Sequence, residues 1–153
     1  MSIRRTVGWV LMACVCWGCS SSSESPSGTA EVPATNGQPY HVEVKAPAST
    51  PVGQPASTQV VVTPQQGFKI NLEYPAKLTL GTVPAGANVS AKAITKAQMS
   101  VTKMRLTVPV SFTAAEPGPK HFEGELRFSV CNDQTCQMPR ETVSWTTQAE
   151  ATP

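Results

Sequence analysis

The stretch FSVCNDQTCQMPRETVSW, Phe128 to Trp145, holds two cysteines, Cys131 and Cys136, five positions apart. The chain's other three cysteines, Cys14, Cys16 and Cys19, fall within its first nineteen residues. Two thiols at this spacing support three chemistries. They can form a structural clip, or a redox-active pair that exchanges with a partner. With Met138 and His121 they can form a soft site for Cu(I), an ion that takes thiolate, thioether and imidazole ligands. Asn132, Asp133, Gln134 and Thr135 lie between them, and Asn and Asp favour turns because their side chains bond nearby backbone groups. A four-residue hairpin loop sets its flanking residues opposite each other, with Cα atoms roughly 4.5–5.5 Å apart. That is close enough for a disulfide without backbone movement. Closing so short a loop contributes on the order of 2 kcal/mol, less than a long-range cross-link would. A bond at an exposed turn is also open to a partner thiol, and accessible bonds tend to be the labile ones. Spacing alone leaves clip and redox pair open.

The front of the chain names the compartment. Arg4 and Arg5 precede an apolar run of twelve residues, Val7 to Gly18, which is the layout of a secretory signal and too short for a permanent membrane span. Cysteine after a small residue at the end of such a run resembles a bacterial lipobox. Cys14 follows Leu-Met-Ala but leaves only seven apolar residues before it; Cys19 follows Cys-Trp-Gly, allows a normal apolar run and precedes four serines. Cys19 is the favoured lipidated residue, carrying acyl chains. Residues 1–18 are then the signal peptide, and Cys131 and Cys136 are left as one pair with no odd thiol. The expected location is the bacterial envelope, lipid-anchored at the outer membrane with the domain in the periplasm, where disulfides persist and close ahead of copper binding.

Removing Arg4 and Arg5 leaves ten basic and ten acidic residues, a formal charge of zero. No basic patch of the kind nucleic-acid binding needs remains. No Ser/His/Asp set, paired carboxylates or glycine-rich phosphate loop occurs, and nothing calls for a cofactor. His41 and His121 read as exposed strand residues, Lys92, Lys96 and Lys103 as a solvated face, and Met99 and Met104 as core filler. Asn88-Val-Ser90 matches a glycosylation sequon by chance.

What positions the cysteines is a small domain. Residues 19–38 begin with the lipidated cysteine and continue as Ser, Pro, Gly, Ala and Thr with almost nothing to bury, a disordered tether. Residues 39–149, about 110 in number, can bury a single core; residues 150–153 form a tail. Period-two alternation runs through the domain. Tyr40, Val42 and Val44 share a face, as do Met104, Leu106, Val108, Val110 and Phe112, and Phe122, Leu126, Phe128 and Val130, a series that Gly124 interrupts. QVVVT (59–63), FKINL (68–72) and KLTL (77–80) are further strand candidates, and Val143 and Trp145 mark the last strand. Residues 91–100 are the one place for a helical turn. Pro109 within a strand calls for an edge or a bulge. Seven to eight short strands with turns every eight to twelve residues predict an all-β fold, an immunoglobulin-like antiparallel β-sandwich.

GFKINLEYPAKL (Gly67 to Leu78), followed some fifty residues later by FSVCNDQTCQMPRETV, resembles the periplasmic N-terminal domain of the thiol:disulfide interchange protein DsbD and its stand-alone lipoprotein relatives. Gly67, Phe68, Asn71, Tyr74, Pro75, Cys131, Cys136, Pro139 and Glu141 carry the match. The resemblance implies an immunoglobulin-like domain in which Cys131 and Cys136 pass electrons to or from a thioredoxin-like redox protein. The pair here is C-x4-C, shorter than the interchange protein's usual gap, and Met138-Pro139 stands where that protein has two prolines. The alternative is a non-enzymatic envelope lipoprotein, a binding or structural module with an inert hairpin disulfide.

Overall fold

A computed structural model describes residues 30–31 and 37–151. Cys14, Cys16, Cys19, the signal segment and most of the tether lie outside the described residues. Among the described residues are fourteen strand segments: β1 (Ala30–Glu31), β2 (Tyr40–Lys45), β3 (Ser49–Pro51), β4 (Pro55–Pro64), β5 (Lys69–Ile70), β6 (Lys77–Leu80), β7 (Ala87–Val89), β8 (Ala93–Thr95), β9 (Ser100–Thr102), β10 (Arg105–Ala114), β11 (Gly118–Arg127), β12 (Val130–Cys131), β13 (Cys136–Gln137) and β14 (Arg140–Glu150). The count exceeds the expected seven to eight because several segments span only two or three residues. One sheet runs β1-β2-β4-β10-β7, with β9 also on β10; the other runs β3-β14-β11-β6-β8. Every pairing is antiparallel except β3 with β14. Two such sheets face to face make the immunoglobulin-like β-sandwich that the alternation predicts. A third, three-stranded sheet, β13-β12-β5, carries the cysteines.

The alternation works because a strand sends successive side chains to opposite faces. Val42, Val44, Val60, Val62, Leu106, Val108 and Val110 of the first sheet meet Leu78, Leu126 and Val143 of the second. Burying each such side chain contributes about 1.5–3 kcal/mol. Phe112 crosses to Phe122, ring centres 4.9 Å apart, and Phe122 stacks on Trp145 at 5.2 Å. Aromatic contact thus bridges the sheets.

Several elements depart from the expectations. Ala30 and Glu31 pair with Val44 and Glu43 of β2, so at these two residues the tether is an edge strand rather than disordered chain. FKINL keeps only Lys69–Ile70 as strand, because the Asn71 side chain accepts from the Glu73 N–H at 2.9 Å and turns the chain. The helical turn shrinks to one 3-10 turn, Lys96–Gln98. Met104 is not core filler: it occupies the β9–β10 turn and is 61% exposed. Pro109 sits within β10 between the stretches that pair with β9 (Arg105–Thr107) and β7 (Phe112–Ala114). Ser111, two residues on, offers its carbonyl to Ser90 on that same side. The missing N–H of Pro109 therefore faces a local edge, where no ladder bond is lost.

Gly124 does not interrupt β11; it lies on the buried face midway along it. A Cβ there would stand 2.9 Å from the Thr79 carbonyl oxygen and 3.2 Å from methyls of Leu78 and Leu80. The gap in the apolar series is where β6 packs its leucines. Gly124→Ala is therefore expected to lower the unfolding free energy by about 1–3 kcal/mol through overpacking. Urea unfolding followed by Trp145 fluorescence measures this, and an unchanged midpoint would show that β6 gives way freely.

Candidate functional site

The sandwich delivers the cysteines to one end through a break in a strand. The break in the series Phe122 to Val130 falls not at Gly124 but after Arg127, where β11 ends, and β12 begins at Val130. Phe128, Ser129 and Val130 are all buried, so the chain leaves the second sheet without leaving the core. Val130 and Cys131 then pair with Ile70 and Lys69 of β5 on one side, and with Gln137 and Cys136 of β13 on the other.

Cys131 and Cys136 form a disulfide, S–S 2.02 Å, with Cα atoms 4.0 Å apart. This is tighter than the spacing expected from the loop length, and the hydrogen-bond pattern explains it. The Asn132 N–H donates to the Thr135 carbonyl at 2.9 Å. Opposed residues in an antiparallel ladder alternate between hydrogen-bonded and closer, non-hydrogen-bonded pairs. With Asn132 and Thr135 bonded, the cysteines occupy the close pair. Asn132 also holds the turn from inside, its side-chain oxygen accepting from the N–H groups of Gln134 (2.9 Å) and Thr135 (2.8 Å). Cys136 is exposed and Cys131 half-buried, with Ser129 Oγ 3.8 Å from the Cys131 sulfur.

Beneath the pair, Tyr40 of β2 meets Phe128 edge to face, ring centres 4.9 Å apart. Its hydroxyl donates to a Glu141 carboxylate oxygen at the start of β14. This bond ties the two sheets together below the disulfide. Burial first, then the hydrogen bond and charge of Glu141, push the Tyr40 hydroxyl well above the ordinary tyrosine range. Composition did not flag this pair, because Tyr40 reads as one more apolar strand residue.

The surroundings of the disulfide are unlike the rest of the surface. A groove of about 400 Å³ runs beside Cys131, lined by Lys69, Leu72, Glu73, Lys103 and Asp133 among others. The large apolar side chains that stay exposed among the described residues are Leu72 (37%), Met104 (61%) and Met138 (65%). All three lie at this end. Leu72 is two residues from Ile70, whose N–H donates to the Lys103 carbonyl at 2.8 Å and so draws in the Lys103–Met104 turn. Met138 is two residues past Cys136. Lys96, expected to be a solvated cation, instead donates its ammonium to the Leu72 carbonyl.

The copper set drawn from the sequence is not assembled. His121 pairs with Thr146, its Nδ1 3.0 Å from Thr146 Oγ1. It lies six residues from the Arg127 end of β11, about 20 Å along the strand. Both sulfurs are engaged in the disulfide. His41 is half-buried rather than solvent-facing.

No protein-family model matches the chain, and no curated protein matches it. Among solved structures, the chain is similar to native α2-macroglobulin from Escherichia coli, spanning domain MG7 to the C-terminus, at 14% identity and a TM-score of 0.46, over 74% of this chain and 17% of that one. It is similar to a cohesin module of a Clostridium perfringens family 33 glycoside hydrolase at 11% identity and a TM-score of 0.43, over 74% of this chain and 98% of that one. AggA, the major subunit of aggregative adherence fimbriae type I of Escherichia coli, gives 15% identity and 0.39, over 72% and 95%. The chain spans about a sixth of the macroglobulin chain it matches. Likenesses this distant say nothing of what it does.

The Tyr40–Glu141 bond sets a pH dependence. A raised folded-state value means that the native chain holds its phenolic proton longer than the unfolded chain does. That contribution is fully present below the ordinary value of 10.0 and is lost as pH climbs beyond it. Unfolding free energy should therefore fall above about pH 10, and Tyr40→Phe should flatten the fall. Urea midpoints across pH 8–11 check this; identical slopes in both proteins would remove Tyr40 as the cause.

Proposed function

We propose that the chain is a lipid-anchored periplasmic domain that exchanges thiol and disulfide through Cys131 and Cys136 with a thioredoxin-like redox protein. The observation that carries this reading is the exposure of Cys136, at the end of the domain that also holds the exposed Leu72, Met104 and Met138. A clip serving stability alone needs no apolar surround, whereas a transient protein partner does. A thiolate of the partner attacks the Cys136 sulfur, the partner–Cys136 bond forms, and the Cys131–Cys136 bond breaks. Cys131 leaves as a thiolate and takes a proton from water. The partner's second thiolate then displaces Cys136 and closes the partner's own disulfide, so two electrons pass from the partner dithiol to this chain. The reverse sequence returns them.

A second reading has its own observation. The turn is braced by Asn132 through side-chain bonds that do not involve the sulfurs, and a turn that keeps the cysteines together favours a low-potential, inert clip in an envelope lipoprotein without enzymatic activity. The reduction potential separates the two. Equilibrated in defined thiol buffers, an exchanging pair is expected near about −200 mV, and a value below about −300 mV would mark a structural bond. Cys131→Ser, which leaves the exposed Cys136 free, should retain a mixed disulfide with the partner. Cys136→Ser, which leaves the half-buried Cys131, should trap far less, and equal trapping would remove the assignment of Cys136 as the attacked sulfur. Anchoring is tested separately. Cys19→Ser should move the chain from the membrane to the soluble fraction of a bacterial envelope, and Cys14→Ser should not; the opposite result would move the lipid site to Cys14.

A further inference from the structure

The alternation of the hairpin ladder determines which backbone groups are free beside the disulfide. Because Cys131 and Cys136 form a non-hydrogen-bonded pair, neither turns its N–H and C=O toward the other. Those of Cys131 face β5, where Lys69 is its partner. Those of Cys136 face the opposite way, and β13 is the terminal strand of its sheet. Met138 follows directly on β13, one residue before Pro139. Next to the exposed Cys136 there is thus a short open edge, with the N–H and C=O of Cys136 turned outward and no strand beside it among the described residues. Open edges of this kind are templates for an added strand.

We propose that this edge receives an extended segment of the redox partner as an added antiparallel strand, the partner's cysteine standing opposite Cys136. The inference rests on the exchange reading above and specifies how the partner is recognised. Three features support it. Displacement at sulfur runs along the S–S axis, and the disulfide lies across the β12–β13 ladder. A cysteine on a strand outside β13 therefore approaches the Cys136 sulfur from the side opposite Cys131, the trajectory that displacement needs. The corresponding side of Cys131 is covered by β5. A hydrogen-bonded pair also sets Cα atoms about 5.5 Å apart, within the range a disulfide accepts. The mixed disulfide can form without moving either backbone.

Register then gives a preference. Where the added strand runs on past β13, antiparallel pairing sets Met138 opposite the partner residue two positions before its cysteine. Met138 is 65% exposed, so an apolar residue there is covered on binding. The partner segment is an extended chain with an apolar residue two positions ahead of the reactive cysteine.

The test uses the full chain in mild detergent with Cys14, Cys16 and Cys19 changed to Ser, and two peptides with one cysteine each. One has Leu two positions before the cysteine, the other Leu two positions after. The rate of mixed-disulfide formation, read by mass spectrometry, should be about fivefold higher for the first peptide, the scale of one apolar contact with its aligned hydrogen bond. Met138→Pro removes an N–H and the side chain and should bring the ratio of the two rates to about one, whereas Met138→Leu should keep it. Equal rates on the unaltered chain, or an undiminished ratio in Met138→Pro, would overturn strand addition. Dithiothreitol distinguishes the two levels. Brisk reduction with no peptide preference overturns this inference alone, and a bond that resists dithiothreitol and both peptides overturns the exchange reading with it.

Discussion

In an antiparallel ladder each residue turns its hydrogen-bonding groups either toward its partner or away from it, and the cysteines here occupy a pair that turns away. The position of that pair follows from the Asn132–Thr135 bond one step nearer the tip. Moving the turn by one residue would exchange the two kinds of pair. The cysteines would then sit farther apart, and the free edge would carry Gln137 in place of Cys136. Close approach of the sulfurs, the open backbone of Cys136 and the covered backbone of Cys131 are three consequences of one register.

The rest of the molecule holds that register still. Phe128, Ser129 and Val130 stay buried as the chain passes from the second sheet to the small one, which anchors β12 in the core. Tyr40 of β2 and Glu141 of β14 join one sheet to the other. Ile70 ties β5 to the Lys103–Met104 turn, so the apolar and basic residues around the groove are carried by backbone bonds. A buried base and a two-residue outer strand leave Cys136 exposed and Cys131 half-buried.

Much of the sandwich was legible because strand burial has a period of two and β-branched residues fill pleated surfaces. KLTL matches β6 residue for residue, and the alternation of Leu106 to Phe112 matches the buried face of β10. The misreadings share a cause. Met104 continues the alternation of β10 but lies in the turn that precedes it, and periodicity carries no information about where a strand stops. Gly124 reads as a gap because the leucines that fill it arrive from residues 78 and 80, more than forty positions away. Ala30 and Glu31 have little of their own to bury and find pairing only because β2 leaves an edge beside them.

For the site, local residue chemistry was enough for the turn. Asn132 and Asp133 between two cysteines specify a hairpin tip, and a hairpin tip specifies sulfurs within bonding reach. Local chemistry could not say which cysteine is exposed, which backbone edge is open, or that Leu72, Met104 and Met138 stay exposed at the same end of the domain. Those three come from segments some thirty residues apart, and only the pairing of β5 with β12 and of Ile70 with Lys103 brings them to one end. Short-range hydrogen bonding acts within a few residues and is written in the order of the chain. Exposure and neighbourhood depend on which strands lie side by side, and that was decided by the packing of two sheets.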